Sequence, residues 1–239
     1  MSKLIFFDTE TTGNEQKDFL CQIAYKSGSE TFTGLYKPPT KIPPEASAVH
    51  HITNKMVADK PSFPDSGDQQ KIKQLFENKD SVVIAHNATF DLTMIEKEGI
   101  IPTNFICTLR VARYLDKEEK IGKYNLQYLR YLLDIEVEAV AHDALGDVLV
   151  LEKLFERLKN KIMEEDGQAS EDQAIAKMIE VSSRPSLLSS FRFGKYNGKK
   201  IEDVLHTDRG YLEWLLAQKT NSETGEEDWI YTLKHYLGK

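Results

Sequence analysis

The chain has 239 residues, 40% of them hydrophobic, and its 31 basic and 38 acidic side chains leave a formal net charge of −7. That length holds one good core, or a core with an appendage. No apolar run is long enough to span a bilayer, two cysteines, Cys21 and Cys107, give no disulfide framework, and the acidic balance argues against a surface that simply coats a polyanion.

Leu4-Ile5-Phe6-Phe7 is a continuous apolar run and predicts a buried central strand over 3–7. Asp8 closes it and Glu10 follows two residues on. In extended backbone such residues share a face, so both carboxylates can reach one site. Thr11, Thr12 and Gly13 then turn the chain. With a strand starting the chain, no signal peptide fits, and a cytoplasmic location is expected. Strands are expected over 20–26 and 30–37. Lys37-Pro38-Pro39 and Ile42-Pro43-Pro44 mark a loop, because proline withholds a ladder donor.

A helix over 67–78 precedes a second apolar run, Val82-Val83-Ile84-Ala85, which predicts a strand over 81–85. His86 and Asn87 leave that strand. The helix expected over 89–98 places Asp91 in its first turn, near the positive helix end. Asn87 reads equally as an N-cap, and Phe90 equally as core or as a base-stacking ring. A strand over 104–107 and helices over 108–115 and 125–133 follow. Val148, Leu151, Leu154, Phe155, Leu158 and Ile162 repeat with helical spacing and predict a long helix over 143–163. Asp147 lies near its N-terminus, His142 in the preceding loop, and Asp143 reads as a cap.

Four carboxylates and one imidazole thus sit at or near the ends of apolar elements. Buried carboxylates repel one another and lose hydration, so a cluster of them calls for bound cations. Two hard divalent ions held by carboxylates are a device for cleaving phosphodiesters in line. Taken singly, each acidic string has a plain reading as a strand end, a cap or a core residue.

Asp8-Thr9-Glu10-Thr11-Thr12-Gly13, His86-Asn87-Ala88-Thr89-Phe90-Asp91 and His142-Asp143-Ala144-Leu145-Gly146-Asp147 together resemble the DEDDh 3′→5′ exonucleases, in the family's order. Val49-His50-His51-Ile52-Thr53 and Cys107-Thr108-Leu109-Arg110-Val111-Ala112-Arg113 fall in the same register. The resemblance implies an α/β, ribonuclease-H-like fold: a mixed five-stranded sheet flanked by helices, with the carboxylates at one sheet edge. It implies metal ligation by Asp8, Glu10, Asp91 and Asp147, with Asp8 bridging two ions, and His142 as the general base. Thr9, Thr11, Thr12, Gly13, Asn14, His51, Asn87 and Phe90 would line the substrate. Many relatives carry glycine where this chain has His51, and several carry an apolar wedge where it has Asn14. Mg²⁺ is the expected ion, with Mn²⁺ able to substitute. Bound metal would reverse the sign of the local field, which reconciles the acidic chain with a nucleic-acid substrate.

Residues 184–200 contain Arg184, Arg192, Lys195, Lys199 and Lys200 and no acid, interleaved with Phe191, Phe193 and Tyr196. Tyr196-Asn197-Gly198-Lys199 carries the Asn-Gly hairpin signature. The expectation is that Phe191 and Phe193 pack, and that Arg192, Lys195, Lys199 and Lys200 contact DNA. Trp214 with Leu212, Leu215 and Leu216 predicts a helix. The tail resembles the C-terminal region of the exodeoxyribonuclease X branch of the family. Three parts are therefore expected: an exonuclease domain over 1–165, a helix and linker over 166–185, and a small α+β domain over 186–239.

The function this implies is metal-dependent 3′→5′ hydrolysis of DNA, from single-stranded and duplex 3′ ends, releasing nucleoside 5′-monophosphates in repair or end trimming. An RNA 3′ exonuclease and a polymerase proofreading subunit are the enzyme alternatives. A binding protein with a decayed site is the non-enzyme alternative, and the intact acidic set argues against it.

Overall fold

The computed structural model describes residues 2–15, 17–137, 144–165, 167, 169–221 and 226–239. They form two units, Met1–Ser183 and Arg184–Lys239. The first is built on a five-stranded sheet of order β3-β2-β1-β4-β5, formed by β1 (Lys3–Thr11), β2 (Leu20–Ser27), β3 (Glu30–Leu35), β4 (Ser81–Ala85) and β5 (Phe105–Cys107). Strand β1 is central, antiparallel to β2 and parallel to β4, and β4 is parallel to β5. This is the mixed five-stranded α/β sheet that the sequence implied.

Strand β1 runs four residues beyond the apolar run. Antiparallel pairing with β2 carries it through Asp8↔Ala24 and Glu10↔Gln22 before the register shifts at Thr11↔Leu20. The first acids therefore stand on the strand itself, and the bulge re-aims the chain just past them. Parallel pairing with β4 stops earlier, at Phe6↔Ile84. The β4-side edge of β1 is consequently open at the level of the acids.

Alternation along β1 feeds two cores. Phe6 packs edge-on against Phe155 of α6 (Ala144–Glu165), with ring centroids 5.3 Å apart. Ile5 and Phe7 face the other way, into a cluster with Phe76 of α2 (Gly67–Phe76) and Ile95 of α3 (Ala88–Lys97). The proline-rich stretch expected as loop also contains a short helix, α1 (Pro44–His50), opened by Pro44 at a position where a missing N–H costs nothing. The helices α4 (Thr108–Leu115) and α5 (Leu126–Leu132) join α6 on the first face. Helix α7 (Glu171–Ser182) belongs to the same unit: Ala174 and Met178 enter its core, and Ser182 accepts from the Cys107 amide at 2.8 Å.

The second unit is helical. Helices α8 (Ile201–Thr207), α9 (Arg209–Thr220) and α10 (Glu227–Leu237) surround Phe191, Leu212, Leu215 and Leu233. The α+β character expected of the tail reduces, among the described residues, to a single antiparallel bridge, Ser190↔Lys200. Asn197-Gly198 makes a type II turn rather than the turn of a two-strand hairpin: Asn197 has φ −50 and ψ 128, Gly198 has φ +80, and the Lys199 amide donates to Tyr196 at 2.9 Å. The Phe191 backbone takes up both neighbouring bonds, to Gly198 and Lys199, and the loop folds onto its own buried ring. Among the described residues no helix is long and apolar enough to cross a membrane.

Candidate active site

Helix α6 returns along β1. The apolar stripe Val148, Leu151, Leu154 and Phe155 is buried, and Asp147 lies on the same face one turn in from the helix start. From Phe155 to Asp147 is about 12 Å of helix, and from Phe6 to Glu10 about 13 Å of strand. With Phe6 and Phe155 in contact at one end, Asp147 arrives over Asp8 and Glu10 at the other. One ligand oxygen from each of Asp8, Glu10 and Asp147 lies within 4.8 Å of the others. Two full negative charges at that spacing repel by roughly 3 kcal/mol at an effective dielectric of about 20. An all-oxygen, carboxylate-only donor set of this size suits a hard divalent cation.

Asp91 approaches differently. It is 3% exposed in the first turn of α3, and its Oδ1 accepts from the Thr9 amide at 3.0 Å and the Thr9 hydroxyl at 2.6 Å. That amide is unpaired by the sheet because β4 has already ended. Asp91 is therefore tied to the residue between Asp8 and Glu10 without joining their close triad. Burial pushes its carboxyl up to about 7, against the pull of the two Thr9 bonds. A cation nearby would favour its charged form.

A cleft of about 580 Å³ opens beside these groups, lined by Thr9 to Glu15, Val49, His50 and Phe90 among others. The Thr12–Gly13 turn on its wall is fixed by Asp18, whose carboxylate accepts from the Thr12 hydroxyl and the Glu15 amide. A Cβ on Gly13 would meet Asp18 Oδ2 at 2.4 Å, so a larger residue would displace the carboxylate that fixes the turn. His50, 6% exposed, donates from Nε2 to the Thr11 carbonyl at 3.1 Å and accepts the Ile52 amide on Nδ1. Burial holds its imidazole below the ordinary value, consistent with this neutral tautomer.

Thr9, Thr11, Thr12, Gly13, Asn14 and Phe90 thus share the cleft with Glu10. His51 does not appear among the described lining residues; it is exposed and closes α1 in the left-handed conformation, with φ 62. Asn87 stands at the N-cap position of α3, also left-handed, and its side chain makes no cap bond. His142 and Asp143 lie outside the described residues. In the tail, Lys195 pairs with Asp208 at 2.9 Å and lies over the Tyr196 and Tyr211 rings. Arg192, Lys199 and Lys200 are exposed, Phe191 is fully buried and Phe193 partly so.

Two glutamines join the site that the sequence did not single out. Gln127 of α5 donates from Nε2 to Asp147 Oδ1 at 2.5 Å. Gln22 of β2, opposite Glu10, accepts the Ala144 amide at the start of α6 at 3.4 Å. Neither belongs to a motif, and both contacts join residues at least 20 apart. Helix α5 is anchored by His86, which donates from Nε2 to the Tyr124 carbonyl at 2.6 Å and accepts from the Thr108 hydroxyl at Nδ1, and by the Asn125 cap. Burial drives His86 down to about 4, so it stays neutral.

Known proteins share both parts of this chain. The exonuclease family profile matches residues 5–155, and the exodeoxyribonuclease X-like C-terminal profile matches residues 191–219. Exodeoxyribonuclease 10 of Escherichia coli (strain K12) is 34% identical over 205 residues, spanning 85% of this chain and 83% of its own. DNA polymerase III subunit epsilon of Buchnera aphidicola is 32% identical over 176 residues, 64% of this chain and 72% of its own. Among solved structures, exonuclease X in complex with 5′-overhanging duplex DNA superposes with a TM-score of 0.58 at 26% identity, over 75% of this chain and 99% of that one.

Proposed function

Because this chain belongs to the exonuclease family, we propose that it is a metal-dependent 3′→5′ exodeoxyribonuclease that releases nucleoside 5′-monophosphates from DNA ends in repair or end trimming. The observation that carries the reading is the convergence of Asp8, Glu10 and Asp147 from two elements onto one point beside an open cleft. DNA as the substrate is supported by the similar solved exonuclease X, which holds 5′-overhanging duplex DNA. Cytoplasmic placement follows from the same reading.

Asp8, Glu10 and Asp147 would hold divalent cation, with Asp91 close by through Thr9. Mg²⁺ is the proposed ion, two per site, with Mn²⁺ as a substitute. Bound there, it would offset charge on the phosphate and the departing 3′ oxygen. Phe90 and the Thr11–Asn14 wall would seat the terminal nucleotide. His142, two residues ahead of α6 in the sequence, would accept the proton of the attacking water. In the tail, Arg192, Lys199 and Lys200 would meet DNA phosphates; Lys195 would contribute less, because Asp208 already pairs with it.

The test is digestion of 3′-labelled single-stranded and duplex DNA with and without Mg²⁺, comparing wild type with Asp8→Ala. The expected result is mononucleotide release that requires metal and falls at least about 10³-fold in the variant, as loss of a metal-centred rate term would give. Wild-type activity in Asp8→Ala, or digestion in chelator, would overturn the assignment.

A further inference from the structure

We propose that Gln127 is the positioning residue for Asp147, aiming this carboxylate at the cation the site would hold; the inference rests on the metal-site reading above. Asp147 is the one member of the triad that arrives on a separate element, so its aim is not set by the strand that carries Asp8 and Glu10. Gln127 Nε2 donates to Asp147 Oδ1 at 2.5 Å, and a side-chain amide has one donor end and one acceptor end. The acceptor end is turned toward Arg130, whose Nη1 lies 3.5 Å from Gln127 Oε1. A cationic guanidinium on that side favours the amide orientation that presents N–H to the carboxylate.

Helix α5, which carries Gln127, is short, and its start is fixed from outside. The Asn125 side chain accepts from the Tyr128 amide at 2.8 Å, and His86 takes the Tyr124 carbonyl one residue earlier. His86 directly follows β4. The sheet end is thus linked through an imidazole, a helix cap and an amide to the one acid of the triad that the sheet does not itself carry. A carboxylate that accepts one fixed N–H keeps its remaining lone pairs in a defined direction, which is how outer partners orient metal ligands.

The experiment replaces Gln127 with methionine, which keeps length, volume and helix preference while removing the donor to Asp147 together with the acceptor that faces Arg130. Mn²⁺ binding to the DNA-free protein is titrated calorimetrically for wild type, Gln127→Met and Asp147→Asn, alongside the Tm of each metal-free protein. The expected result is a Kd about 10-fold or more weaker in Gln127→Met, with Tm nearly unchanged, and nuclease activity lost at low metal but regained as metal is raised. A residue that merely packs α5 would lower Tm without moving the Kd. A Gln127→Met Kd within twofold of wild type, while Asp147→Asn weakens binding, overturns the positioning role alone. Unchanged Mn²⁺ binding in Asp147→Asn as well overturns the metal-site reading and this inference with it. If Gln127→Met melts early, Gln127→Ala is carried through the same measurements and judged by the same outcomes.

Discussion

His51 illustrates what backbone conformation asks of one side chain. It ends α1 with φ 62, its amide donating to the Ser47 carbonyl, in the left-handed region where a Cβ crowds the following carbonyl. Glycine is the residue such a helix end favours. His51→Gly should therefore stabilise the sheet unit by about 1 kcal/mol, a rise in Tm of roughly 2–4 °C for a unit of this size. A fall in Tm on thermal melting would contradict the backbone explanation. The neighbouring His50 works the opposite way: buried and bonded at both nitrogens, it secures the Thr11 carbonyl.

Strand β4 and helices α4 and α5 meet at His86, and their junction carries a pH dependence. The imidazole sits at about 4, below the ordinary 6.5, chiefly because burial disfavours its charged form. A depressed basic group leaves the unfolded chain holding more protons between those values. Its contribution is therefore fully present above about 6.5 and is lost as pH falls toward about 4, at most roughly 3 kcal/mol. Asp91 acts in the opposite sense: its raised carboxyl favours the folded state below about 7 and that benefit is lost as pH rises through it. The comparison that isolates His86 is thus a difference. Urea denaturation of wild type and His86→Gln at pH 7.5 and pH 5, without metal, should show wild type losing the larger share of stability on acidification. Identical losses would exclude a buried neutral His86.

The two units have separate cores, one pair of apolar layers around the sheet and one cluster around Phe191. The candidate catalytic acids all lie in the first, and the exposed basic residues Arg192, Lys199 and Lys200 in the second. A chain ending at Ser183 should therefore fold, retain metal-dependent cleavage, and bind single-stranded DNA with a shallower salt dependence. Three lost phosphate contacts would lower the slope of log K against log salt by about 2. A folded truncation with the full-length slope would remove the tail from DNA binding.

The sheet strands, the long helix and the acidic strings were legible because each is written in neighbouring residues. Apolar runs mark β1 and β4, helical spacing marks α6, and Asp8 with Glu10 share a face by strand alternation alone. What the sequence hid were relations across distance. The reach of β1 to Thr11 depends on pairing with β2; the Asp91 bond to Thr9 joins residues 82 apart and exists because β4 stops short; the tail becomes helical around one buried phenylalanine. The chain on its own determined which side chains are candidates for the chemistry, since a carboxylate's charge and a strand's alternation are local properties. Only the tertiary structure decided that three acids share one point, that Asp91 stands behind Thr9, and that Gln127 faces Asp147, because a hydrogen bond between distant segments is set by packing and leaves no periodic trace in the sequence.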